Sequence, residues 1–176
     1  MAIDRQKTET VHWHAVFTAS RAEKKVRDRL EELGVECFLP VQTVLRQWTY
    51  RKSRVVVPVI AGLMFVRVGR QEQVKVLQTK GVVAFLRLKG EAGAAVIPDK
   101  QMEDFRFLLD FSEEAVEMTN ENIKAGDLVR VVKGSLRGME GELIRHKGVT
   151  KVLVRIDMLG CAMVNIPASF VEKLNK

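Results

Sequence analysis

Bond-making chemistry has few places to sit in this chain. His12 and His14 are two apart on a β-type segment and would project from one face, but no third ligand is spaced to complete a metal site. Cys37 and Cys161 are far apart and outside any C-x-x-C spacing, so reduced thiols and a cytoplasmic setting are expected rather than zinc or a disulfide. Neither a Ser/His/Asp or Cys/His constellation nor a phosphate-cradling glycine loop is evident. Gly90 and Gly93 read as a turn. The expectation is a protein with no catalytic residues, no metal and no cofactor. What does cluster is suited to phosphate. Between Glu36 and Glu72 lie 35 residues without Asp or Glu, carrying Arg46, Arg51, Lys52, Arg54, Arg67 and Arg70, with Trp48 and Tyr50 nearby. Cations neutralise phosphates regardless of base sequence, and an aromatic ring can stack on an exposed base. The competing explanation is a solvated hairpin tip.

Hydrophobic periodicity supplies the elements that would position these residues. Trp13, Ala15 and Phe17 alternate with His12, His14 and Val16, which predicts a strand. Ser20 and Glu23 have capping-box spacing. Ala22, Val26, Leu30 and Leu33 then recur at helical intervals up to Gly34, with Lys24, Lys25, Arg27 and Arg29 on the opposite face. Strand-like stretches follow at 35–40, 43–50 and 55–68, with residues 51–54 as a basic hairpin tip. A short helix over 71–79 is expected to turn Val74 and Leu77 inward. A strand over 82–88 and a helix after Pro98 bearing Met102, Phe105, Leu108 and Leu109 complete an α+β pattern: an antiparallel sheet with packed helices.

The last third is written differently. Alternating residues in 126–133 are followed by Gly134, Gly138 and Gly141, as in a small, tightly coiled β-barrel. Its β-branched residues and glycines favour that barrel over a helical alternative. The net charge is +7, but it is uneven: residues 113–123 contain four glutamates and no base, between two basic stretches. The expected organisation is a disordered tail over 1–10, an α+β domain over 11–112, an exposed acidic linker over 113–123 and a barrel over 124–176. The longest apolar run, 55–66, is interrupted by Pro58 and Gly62 and is too short to cross a membrane.

Several motifs resemble the NusG family of transcription elongation factors. They are Trp13 in the first strand, the 20–34 helix, Cys37-Phe38-Leu39-Pro40, Gly62-Leu63-Met64-Phe65-Val66, Thr79-Lys80-Gly81-Val82 and Ile97-Pro98-Asp99. Residues 126–131, 134–138 and Gly141 resemble a KOW domain, the SH3-like barrel that follows the ferredoxin-like NGN domain in that family. Where the family usually has Pro-Gly-Tyr, this chain has Ala61-Gly62-Leu63, which removes a hydroxyl donor. Its divergence is most similar to the specialised UpxY-type antiterminators and, more distantly, RfaH, which act on a few long operons such as surface polysaccharide clusters.

The resemblance implies a monomeric, non-enzymatic factor that docks on the clamp helices of RNA polymerase and discourages pausing. By motif position the docking patch would be Ile60, Leu63, Phe65, Leu88, Met102 and Phe105, with the Leu63/Phe65 strand face partly exposed. Lys24, Lys25, Arg29 and Lys80 would face the non-template DNA strand, and Gln73 the opposite cleft wall. The hairpin residues Arg51, Lys52 and Arg54 would lie along upstream DNA. Leu136 and Arg137, on a loop of the barrel, would meet a ribosomal protein or termination factor. Two alternatives stay open: a housekeeping elongation factor, and a ribosome-associated RNA-binding protein using Lys133, Arg137, Arg145, Lys147 and Lys151.

Overall fold

The structure is a computed structural model that describes residues 9–174, so most of the expected tail lies outside the described residues. Along the chain run β1 (His12–Thr18), α1 (Glu23–Glu32), β2 (Glu36–Phe38), β3 (Val41–Trp48), β4 (Arg51–Pro58), β5 (Leu63–Val68), α2 (Glu72–Gln78), β6 (Val82–Phe85) and α3 (Asp99–Phe111). Then follow β7 (Glu117–Thr119), β8 (Asp127–Val131), β9 (Glu140–His146), β10 (Val149–Ile156), β11 (Gly160–Asn165) and β12 (Val171–Lys173). The described residues fall into two compact units: those up to 39 with 62–96, and 40–61 with those from 97 on.

In the first unit four antiparallel strands are ordered β2-β5-β1-β6. Alternation along β1 and β5 places Trp13, Ala15, Phe17, Leu63 and Phe65 on one face and His14, Val16, Met64 and Val66 on the other. Helix α1 buries Val26 and Leu30 and stops at Gly34. There φ is +74°, and the Val35 amide donates back to the Leu30 carbonyl, a Schellman closure that glycine permits. The start of α1 departs from expectation. Arg21 takes a positive φ, Ala22 is the cap residue, and no side chain caps the helix. Glu23 instead turns inward, and its carboxylate accepts the Gly62 amide at 2.8 Å. Helix α2 also differs. It buries Val76 and leaves Val74 and Leu77 exposed, because the inward stripe of this short helix runs through Gln73, Val76 and Thr79. The single strand expected over 55–68 is two, β4 and β5, separated by a turn through Ala61 and Gly62.

The second unit contains the β3–β4 ribbon, helix α3 and an antiparallel six-stranded sheet ordered β12-β8-β9-β10-β11-β7. Leu153, Cys161 and Met163 form a buried cluster with Ile123 and Ile144 against it. Helix α3 lies along β10, and the Gln101 side-chain oxygen accepts the Asp157 amide at 2.8 Å. Part of the segment expected as an exposed linker is sheet. β7 pairs with β11, and Glu117 bonds Lys151 at 2.8 Å. Just before it, the Gln42 side-chain amide both donates to and accepts from the Val116 backbone. Gly160 makes this pairing sterically feasible: its φ is +102°, and a Cβ there would meet the Thr119 carbonyl oxygen.

Candidate functional site

The six residues expected to form an apolar docking patch divide sharply. Leu88 is 42% exposed and Ile60 is half-buried, but Leu63 and Phe65 are 2% and 0% exposed, and Met102 and Phe105 are equally sealed. The open Leu63/Phe65 face expected from alternation is therefore not found. β5 is a central strand, flanked by β1 and β2, and Leu63 to Val66 are buried on both faces. The Phe38 ring stacks on Phe65 with centroids 6.1 Å apart. Phe17, directly across from Leu63 on the same face, remains exposed and was not singled out by the sequence; it breaks the otherwise buried stripe of β1.

The basic face of α1 resolves into a small cleft at one end. Arg29 donates to the Lys80 carbonyl at 2.6 Å, bringing the two expected residues together. Glu32, Leu33, Lys75, Gln78 and Thr79 complete the lining of this cleft of about 350 Å³, which carries three cations and one carboxylate. Lys24 and Lys25 are exposed on the first turn and do not line it. Lys75 was hidden from sequence reading because it sits on the outward side of α2, where a lysine is unremarkable. Gln73, expected to face a partner, is half-buried and lies 3.5 Å from His14 Nε2.

His14 has no free nitrogen for a metal. Its Nδ1–H donates to the Ala95 carbonyl at 2.8 Å, and Phe85 meets the ring edge-on. Burial pushes its pKa down, so the imidazole is neutral at ordinary pH. Among the described residues no group of three or more His, Cys, Asp or Glu could hold a metal ion. The Cys37 thiol is pushed up to about 11 by burial, and burial also raises that of Cys161, so neither is a ready nucleophile.

On the ribbon, Arg46, Trp48, Tyr50, Arg51, Lys52 and Arg54 are all exposed, Tyr50 by 98%. Its base borders a cleft lined by Leu45, Val56, Leu109 and Val116 together with Asp110 and Glu113. In the sheet module, Leu136 was expected to present itself to a partner but is buried beside Phe170 and Ile166, so it fills the end of the sheet's core. Arg137 is exposed and borders a shallow cleft with Lys100 and Phe107 of α3. Lys151, counted among the RNA-facing bases, is withdrawn from that surface: it is 4% exposed and bonded to Glu117, because it lies on the central strand β10. Arg155 holds Glu142 with two bonds, at 2.6 and 2.9 Å. This contact lowers the Glu142 pKa and outweighs the carboxylate's burial, which acts to raise it.

Comparison with known proteins supplies the context for these surfaces. Residues 11–106 match the family model described as transcription termination factor nusG. No curated protein matches the sequence. Among solved structures, NusG from Thermotoga maritima, in a study of its domain interaction, superposes with a TM-score of 0.51 at 22% identity. The match covers 94% of this chain and 98% of that one, so the likeness in fold extends over both modules.

Proposed function

The chain belongs to the NusG family, and on that footing we propose that it is a transcription factor without chemistry of its own. It binds RNA polymerase through the N-terminal module and promotes elongation by suppressing pausing or termination. The observation that carries this reading is the tandem itself: a family match over residues 11–106 followed in the same chain by a six-stranded antiparallel sheet. Positive charge suits work beside nucleic acid.

The docking contacts we assign are those the fold leaves open. Phe17 and Leu88 offer exposed apolar surface on the N-terminal module, whereas Leu63 and Phe65 support the sheet beneath. The Arg29/Lys75/Lys80 cleft is assigned to the non-template DNA strand, where phosphates meet cations and an unpaired base finds the apolar Leu33. Arg137 is the exposed member of the pair assigned to a ribosomal protein or termination factor. We further assign the chain to the specialised antiterminators of long operons, a reading supported by Leu63 in place of the family's tyrosine.

A pull-down with core RNA polymerase tests the central reading. The wild-type chain is retained, and Phe17→Asp combined with Leu88→Asp abolishes retention while the circular dichroism spectrum is unchanged. Failure of the wild type to bind polymerase overturns the proposal. Polymerase occupancy across the genome after deletion tests the specialist assignment: changes confined to a few long operons support it, and a general change assigns the chain to housekeeping elongation.

A further inference from the structure

The register of the β3–β4 ribbon puts Val41, Thr43, Leu45 and Gln47 on one face, with Pro58, Val56, Arg54 and Lys52 opposite them in turn. That face changes character along its length. Toward the tip it is cationic, through Lys52 and Arg54. Its middle is apolar and uncovered: Leu45 is 64% exposed and Val56 48%. At the base it looks into a cleft of about 650 Å³ whose lining includes Asp110, Glu113 and Glu114, from the end of α3 and the segment after it. Glu114 accepts a bond from Asn165. Asp110, Glu113, Lys52 and Arg54 make no ion pair among the described residues.

A net charge of +7 opposes self-association in general. This face is an exception, because it presents cations at one end and carboxylates at the other. From the Gln47/Lys52 rung to the Val41/Pro58 rung the ribbon advances by about 20 Å. Laying a second ribbon antiparallel, about a two-fold axis halfway along that span, puts Leu45 and Val56 of both copies at the centre. The same operation sets Lys52 and Arg54 of each copy against the acidic lining of the other. The contact is isologous, so each ion pair forms twice.

We propose that two copies of this chain pair through this face of the ribbon, with an apolar centre and an acidic cleft at each end receiving the partner's cations. The pairing departs from the monomer that the family resemblance implies, and it does not depend on the polymerase reading.

Sedimentation velocity of the full chain tests it. The wild type forms a concentration-dependent dimer at up to about 100 μM, weakened by added salt because the outer ion pairs are solvated. Lys52→Glu with Arg54→Glu disperses the dimer, and so does Asp110→Lys with Glu113→Lys. Each double reversal sets like charges together and weakens pairing by at least about tenfold. Mixed in equal amounts, the two variants pair with one another, since every reversed charge then meets its opposite. All four positions are exposed, and circular dichroism spectra like that of the wild type show that both variants are folded. Three results would each overturn the proposal. The wild type stays monomeric, which leaves the cleft to a different protein; the dimer survives either double reversal; or the mixed variants fail to pair.

Discussion

Arg155 and Glu142 are locked together across β9 and β10, with Arg155 Nε on one carboxylate oxygen at 2.6 Å and Nη2 on the other at 2.9 Å. The same Nη2 donates to the Ile123 carbonyl, and Glu142 also accepts the Gly126 amide. This one pair therefore fastens the chain entering β8 to the sheet it joins. Because bonding by Arg155 holds the Glu142 carboxyl below its ordinary value of 4.5, its contribution is complete above that value and is lost as pH falls through the lower, folded-state value. Glu142→Gln should reduce stability at neutral pH by about 1–3 kcal/mol and flatten the acid-side slope. Urea unfolding at neutral pH and below pH 4.5 checks both.

His14 predicts a loss of stability beginning at milder acidity. Its folded pKa lies below the ordinary 6.5, through burial first, with the nearby His12 adding to it. Between the two values the unfolded chain takes up a proton that the folded chain refuses. Stability is thus full above 6.5 and declines as pH drops toward the folded value. In His14→Gln, which keeps a donor for Ala95, that decline should vanish even if the neutral-pH stability is lower. Unfolding midpoints measured on both sides of 6.5 decide it.

Lys151 and Glu117 should respond asymmetrically. The lysine side chain is buried and the glutamate half-exposed. Glu117→Ala leaves a buried cation without its partner and should cost about 3 kcal/mol, whereas Lys151→Met leaves only a solvated carboxylate and should cost under about 1 kcal/mol. Equal costs in thermal unfolding would contradict the burial asymmetry.

Phe65 and Leu88 share a family role by motif but not an environment. Phe65→Ala removes a fully buried ring and should destabilise by about 3–5 kcal/mol. Leu88→Ala, at an exposed position, should stay within about 0.5 kcal/mol. Denaturant midpoints separate them, and only the second substitution is a clean probe of polymerase binding.

Periodicity proved readable wherever one side of an element meets water. Val26 and Leu30 marked the inner side of α1, Gly34 marked its end, and the ladder of β1 followed from Trp13, Ala15 and Phe17. What periodicity does not carry is which side becomes covered. Leu63 and Phe65 differ from Met64 and Val66 only by parity, and all four are buried. Ser20 and Glu23 had the spacing of a cap, but the glutamate found a better-placed amide on Gly62, 39 positions away. Leu136 lies among polar neighbours and Lys151 reads as a surface base, yet the burial of each goes with contacts to Phe170 and Glu117 that local sequence cannot show. Such long-range pairings also brought Arg29, Lys75 and Lys80 to one cleft.

The position of β7 bears on how the C-terminal module is to be handled in isolation. A fragment cut at residue 124, the boundary that charge suggests, would discard the outermost strand and strip the hydrogen-bonding groups of β11 bare, inviting sticky self-association. It would also strand the Lys151 ammonium inside without its counter-charge. A fragment that begins ahead of Val116 keeps both, and RNA or protein affinities measured on the shorter piece would describe a damaged object.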